Sequence, residues 1–149
     1  MDFHSSASFG KRQEYIAVAE LLRRNHDVYM TLVDDQQIDC IIRQEKDSQR
    51  RYLDIQIKAR SKDAKNPGTF AAMEIRHPRE CFFFIFYSEL INTYWVMPSL
   101  DLIKEANQNK TSENKGKYRI VFVNITKTGV KPRPRFKKYE NAFHLLELG

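Results

Sequence analysis

Four side chains in the first half of the chain have the types and order of a site for a hard cation. Glu14 lies in "KRQEYIAVAELLRRN", Asp39 in "IDCII", and Gln56 and Lys58 in "LDIQIKA". Carboxylate and amide oxygens suit hard divalent cations. A lysine two residues after the amide, about 7 Å along an extended chain, places a positive charge beside it. Asp39 stands between Ile38 and Cys40 in a run that otherwise reads as sheet interior. A carboxylate there is costly unless it is hydrogen-bonded or holds a metal. In 53–59, alternation sends Leu53, Ile55, Ile57 and Ala59 to one face and Asp54, Gln56 and Lys58 to the other. The plain alternative is a half-solvated strand, and for Glu14 a surface glutamate.

The elements that must position these groups follow from periodicity. Residues 11–25 read as a helix with Tyr15, Val18, Ala19 and Leu22 on one stripe and Asn25-His26 at its end. Glu14 lies one turn before Val18, at the stripe's edge, and Glu20 points to solvent. Strands are expected at 27–33, 38–43 and 51–59, joined by a turn at 34–37 and a polar loop at 44–50. After Pro67 and Gly68, residues 71–76 read as a short helix ended by His77-Pro78. Strands at 81–87 and 92–97, a helix over 100–107, a polar loop at 108–117, a strand at 118–125 and a terminal helix at 139–148 complete the pattern. The "FFFIF" run suits a buried central strand, and Trp95 suits packing. The fold class is α/β, with one domain over 1–149 built on a central mixed sheet flanked by helices.

Glu14 on the first helix, Asp39 on the second strand and the Gln56-Ile57-Lys58 tripeptide on the third resemble the PD-(D/E)XK nuclease superfamily. The Q-x-K form is similar to that of Mrr-type endonucleases, and the small layout to Holliday-junction resolvases. The resemblance spans roughly residues 10–100 and rests on a four-residue motif. It implies a restriction-endonuclease-like core and Mg²⁺-dependent hydrolysis of phosphodiesters, with Mn²⁺ as a substitute. Asp39, the Gln56 oxygen and the Ile57 carbonyl would hold the ion. Glu14 would bind it directly or through water or hold a second ion, and Lys58 would orient the attacking water or neutralise the charge developing on the phosphate. Two departures stand out: Ile38 replaces the family's proline before the aspartate, and Gln56 replaces an acid. Asp54 shares the strand face and has no assigned role.

Composition agrees with a polyanion partner. The 149 residues carry 25 Lys or Arg against 19 Asp or Glu, a formal net charge of +6. Arg60, Lys62 and Lys65 run on from Lys58, and "KTGVKPRPRFKK" at 127–138 adds Lys131, Arg133, Arg135, Lys137 and Lys138 without an acid. These are the expected phosphate contacts, with Phe136 and Tyr139 as stacking faces. DNA is the expected partner; RNA and a homodimer stay open. Cys40 and Cys81, without C-x-x-C spacing, read as buried free thiols, and four scattered histidines give no metal pair. The N-terminus lacks a secretory pattern and the longest apolar run, 81–87, is too short to span a bilayer, so a cytoplasmic protein without a membrane partner is expected. The rivals are a catalytically inactive binding domain of the same fold and a protein-interaction module of a defence system.

Overall fold

A computed structural model describes residues 6–33 and 36–147. Asp34 and Asp35 of the expected turn lie outside the described residues, as does Leu148 of the expected terminal helix. The first helix, α1 (Ser6–Arg23), starts five residues ahead of the expected position. It buries Gln13, Ala17, Val18 and Leu21, a stripe at helical period. Of the expected stripe only Val18 is buried; Tyr15 and Leu22 are 57% and 53% exposed. The cause is that α1 carries apolar residues on two faces, so periodicity fixed the helix but not its phase. The helix ends as the Asn25-His26 pair suggests. Asn25 takes φ 66°, its N–H bonds to the Leu22 carbonyl, and the His26 N–H bonds to that of Leu21. That is a Schellman close. Glu20 does not simply face water: it accepts bonds from both Arg23 and Arg24.

Strands β1 (Asp27–Met30), β2 (Cys40–Lys46), β3 (Gln49–Arg60), β4 (Thr69–Met73), β5 (Phe82–Ser88) and β6 (Thr93–Pro98) follow. The central sheet has the order β1-β2-β3-β5-β6. The pair β3–β5 is parallel and the rest are antiparallel. The expected loop at 44–50 shrinks to a two-residue turn. Asp47 and Ser48, at φ 52° and 66°, supply the paired positive values that a tight hairpin needs. Helix α2 (Ser99–Glu105) is followed by β7 (Asn107–Gln108), β8 (Tyr118–Val121), β9 (Val123–Thr126) and β10 (Gly129–Pro132).

Two cores sandwich the sheet. On one face α1 packs on Cys40, Ile42, Leu53, Ile55 and Ile57, with Phe143 and Leu146. On the other, Phe82, Phe84, Phe86 and Trp95 meet Phe70, Phe122 and Phe136. Alternation along β5 feeds both cores, and the "FFFIF" run lies beside β3 as an interior strand.

Three expectations fail here. Residues 71–76 are not a helix: Thr69–Met73 is strand β4, paired with β8, because Phe70 and Met73 must enter the second core. The strand at 118–125 breaks at Phe122, whose N–H goes to the Gly68 carbonyl and whose carbonyl accepts from Arg133. The terminal helix is replaced by 3-10 turns at Pro134–Tyr139 and Phe143–Leu146. Asn141 at φ 50° separates them, and Phe143 and Leu146 are drawn into the core while Gln44 Nε2 donates to the Leu146 carbonyl. Among the described residues no helix is long and apolar enough to cross a membrane.

Candidate active site

The site forms where β2 and β3 part. Pairing stops at Cys40–Ile55, and the Asp39 N–H still reaches the Ile55 carbonyl at 2.8 Å. Asp39 thus stands just ahead of β2 rather than inside it. Beyond that point β2 offers the Ile57 N–H no backbone acceptor. The Asp39 side chain takes the position: its Oδ2 accepts from Ile57 N at 2.6 Å and from Gln56 Nε2 at 3.2 Å. Asp39 is 4% exposed and Gln56 7%, so these are buried, charge-assisted bonds. Thr31 fixes the approach by donating its hydroxyl to the Ile38 and Asp39 carbonyls.

Asp39 and Gln56 therefore meet, as their pattern requires. The Gln56 Oε1 is buried and accepts no hydrogen bond. An orphaned amide oxygen costs about 1–3 kcal/mol, and it is a ready ligand for a hard cation. Glu14 sits at the edge of the α1 stripe, its side chain 16% exposed, in an ion pair with Lys11 at 2.8 Å. Hydrogen bonding to Glu14, then the charges of Glu14 and Asp39, raise the Lys11 pKa. Burial, aided by the same two acids, pushes the Cys40 thiol up to about 12. Glu14 and Asp39 thus act on common neighbours from α1 and from the sheet. Among the described residues no three His, Cys, Asp or Glu side chains gather as a metal cluster.

Lys58, two residues past Gln56 and half-buried, lines a cavity of about 250 Å³ with Arg60, Phe70 and Met73. Asp54 is accounted for otherwise. It pairs with Arg79 at 2.6 Å, whose guanidinium lies 4.5 Å from the Phe82 ring centroid, and the Arg79 backbone is held by Ser99. Lys11 and Arg79 are the residues that sequence reasoning missed. Lys11 has a local signal, three residues before Glu14; Arg79 has none.

The fold superposes on that of a bacterial homing endonuclease, I-Ssp6803I. The superposition covers 96% of this chain and 93% of that one, with a TM-score of 0.64 and 20% identity. The chain has a nuclease-like fold. A nuclease from a fusselovirus aligns over 81% of this chain and 86% of that one, with a TM-score of 0.48 and 12% identity. No protein-family model and no curated protein matches the sequence.

The expected phosphate contacts divide. Lys62, Lys65, Lys131, Lys137 and Lys138 are exposed, and Arg60 is half-buried with Nε 3.4 Å from the Asn66 carbonyl. Arg135 is held by Glu105 at 2.8 Å. Phe136 and Tyr139 cannot stack on bases: they are 1% and 3% exposed, and the Tyr139 hydroxyl donates to Asp101. The "PRFKKY" turn folds both aromatics into the second core rather than presenting them. Cys81 is only half-buried, unlike Cys40.

Proposed function

We propose that the chain is a PD-(D/E)XK-type nuclease that hydrolyses phosphodiester bonds in DNA with Mg²⁺, or with Mn²⁺ in its place. The observation that carries this reading is the buried Asp39–Gln56 contact at the parting of β2 and β3, with the Gln56 Oε1 left without a donor. Asp39, Gln56 Oε1 and the Ile57 carbonyl would hold the ion, with Glu14 as the outer carboxylate. When bound, the ion polarises the phosphate and acidifies a water. Lys58, on the same strand face as Gln56, donates to the negative charge that builds on the phosphate oxygens as water adds and the sugar oxygen leaves. Asp39 is held in place for this by the Ile57 N–H, which needs no metal to form. The surplus of positive charge attracts the polyanion.

A second reading has its own observation. The Gln56 Nε2 and the Ile57 N–H already donate to Asp39 Oδ2, so the acid is held without an ion and the domain could bind DNA without cutting it. Supercoiled plasmid, linear DNA and RNA incubated with Mg²⁺, Mn²⁺ or EDTA separate the two. Nicking with metal and none in EDTA, reduced about 10²–10³-fold by Lys58→Ala, supports the nuclease. Equal DNA binding in EDTA with no cleavage under any condition supports the binding domain.

A further inference from the structure

Residues 114–139 hold nine Lys or Arg and no acid. Within that stretch β9 and β10 form a separate two-stranded antiparallel ribbon. Its register sets Asn124 opposite Lys131, Ile125 opposite Val130 and Val123 opposite Pro132. Val123 is buried in the second core and Val130 packs against it. Alternation then places Asn124, Thr126 and Lys131 on the other, exposed face.

Arg133 completes that face. Its Nε donates to Asn124 Oδ1 at 3.0 Å, and among the described residues its two terminal amino groups form no hydrogen bond. Arg135, by contrast, is spent on Glu105. The ribbon also stands on the site's side of the sheet. It continues from β8, which pairs with β4, and the β4 residues Phe70 and Met73 line the cavity of Lys58.

We propose that this ribbon enters the major groove of duplex DNA and reads base edges through Arg133 and Asn124, thereby setting where the duplex is cut. The proposal rests on the nuclease reading above and adds the substrate's form and the reading element. The B-form major groove admits a two-stranded ribbon, whereas the A-form groove of RNA is too narrow for side chains to read. That geometry selects duplex DNA. An arginine presents two parallel donors to guanine and an asparagine pairs with adenine. Bracing the guanidinium on Asn124 before binding reduces the freedom lost when it docks. Lys131 and Lys127 supply sequence-independent phosphate contacts.

The test uses the full chain in EDTA and a duplex pool with a randomised core, sequencing what is retained. Wild type enriches a motif. Arg133→Lys keeps the charge but loses the paired donors, so discrimination at one base pair falls about tenfold to a hundredfold with the salt slope unchanged. Lys131→Ala weakens all sequences alike and lowers the slope by about one. Asn124 and Lys131 are exposed and Arg133 is half-buried, and unchanged melting curves verify the folds. An unaltered motif in both Arg133→Lys and Asn124→Ala overturns the proposal. So does salt-dependent retention of duplexes without any motif, and so does equal competition by an RNA duplex. If plasmid is still cut in those cases, the nuclease reading stands and only the ribbon's role falls. Absence of both retention and cleavage overturns both.

Discussion

Gln56→Glu tests the centre of the site because it puts a second carboxylate where an amide now donates to Asp39 at 3.2 Å. Two like charges about 3 Å apart at an effective dielectric near 20 repel by roughly 5 kcal/mol. The pair has a cheaper escape. Protonating one carboxyl of ordinary pKa near 4.3 at pH 7 costs about 4 kcal/mol, and about 1 kcal/mol at pH 5. The protonated acid can still donate to Asp39, so protonation is the main cost. The sign follows from linkage: the folded variant binds more protons than the unfolded chain, so its stability falls as pH rises above the unfolded pKa. At about 2–4 °C per kcal/mol for a chain of this size, melting in EDTA at pH 7 should drop by roughly 10 °C, and recover most of that at pH 5. Mg²⁺ offers the second escape, since an ion at a hundred times its dissociation constant returns about 2.7 kcal/mol. The assay is melting of wild type and variant across pH, in EDTA and in Mg²⁺. An unchanged melting temperature at pH 7 would refute the buried contact. Recovery by acid but not by Mg²⁺ would refute the cation site while leaving the contact intact.

Other consequences are independent of that variant. Asp39→Asn keeps an oxygen for the Ile57 N–H and should melt near wild type while losing metal-dependent cleavage; Asp39→Ala strands that buried donor and should cost a further 1–3 kcal/mol or so, read by denaturant titration. Cys40, buried and with its pKa pushed up to about 12, should resist alkylation at pH 8 while half-buried Cys81 reacts. Equal rates at both thiols in the folded protein would contradict the packing. Burial lowers the His26 pKa below its ordinary value, so the unfolded chain takes the proton first. Stability should be full above pH of about 6.5 and decline below it, and His26→Gln should flatten that stretch of the melting profile.

The part of this site legible in the sequence is the part written in local alternation. Gln56 and Lys58 share a face because side chains alternate along any strand, and Asp39 falls opposite Gln56 because a hairpin leaves little choice of register. The helix phase was not legible, since Tyr15, Ile16 and Leu22 are as apolar as Ala17, Val18 and Leu21; the sheet chose between two faces that the helix alone leaves equivalent. The helices expected at 71–76 and 139–148 failed for a related reason. Their conformations are set by β8 and by the two cores, contacts made across long stretches of chain, and tertiary packing overrode local preference. Asp54 could not be assigned from its strand because its partner, Arg79, lies 25 residues further on in an irregular segment.

The departure at Gln56 also has a physical logic on the proposed reading. A site with acids at both positions must hold either an ion or a proton when folded. An amide carries a donor and an acceptor on one carbon. Its Nε2 stabilises the Asp39 carboxylate when no ion is present, and its Oε1, buried and unused, is the atom a cation would take. Glu14 is likewise balanced, by Lys11. Without an ion the site is therefore close to charge-neutral and satisfied, except for two buried oxygens, Asp39 Oδ1 and Gln56 Oε1. Such a site binds metal more weakly than a pair of carboxylates would, and its folding does not depend on metal. Wild-type melting should accordingly respond little to EDTA even where cleavage responds completely. A large loss of stability on chelation would mean that the ion is part of the fold, and that the Asp39–Gln56 bond alone does not hold the site together.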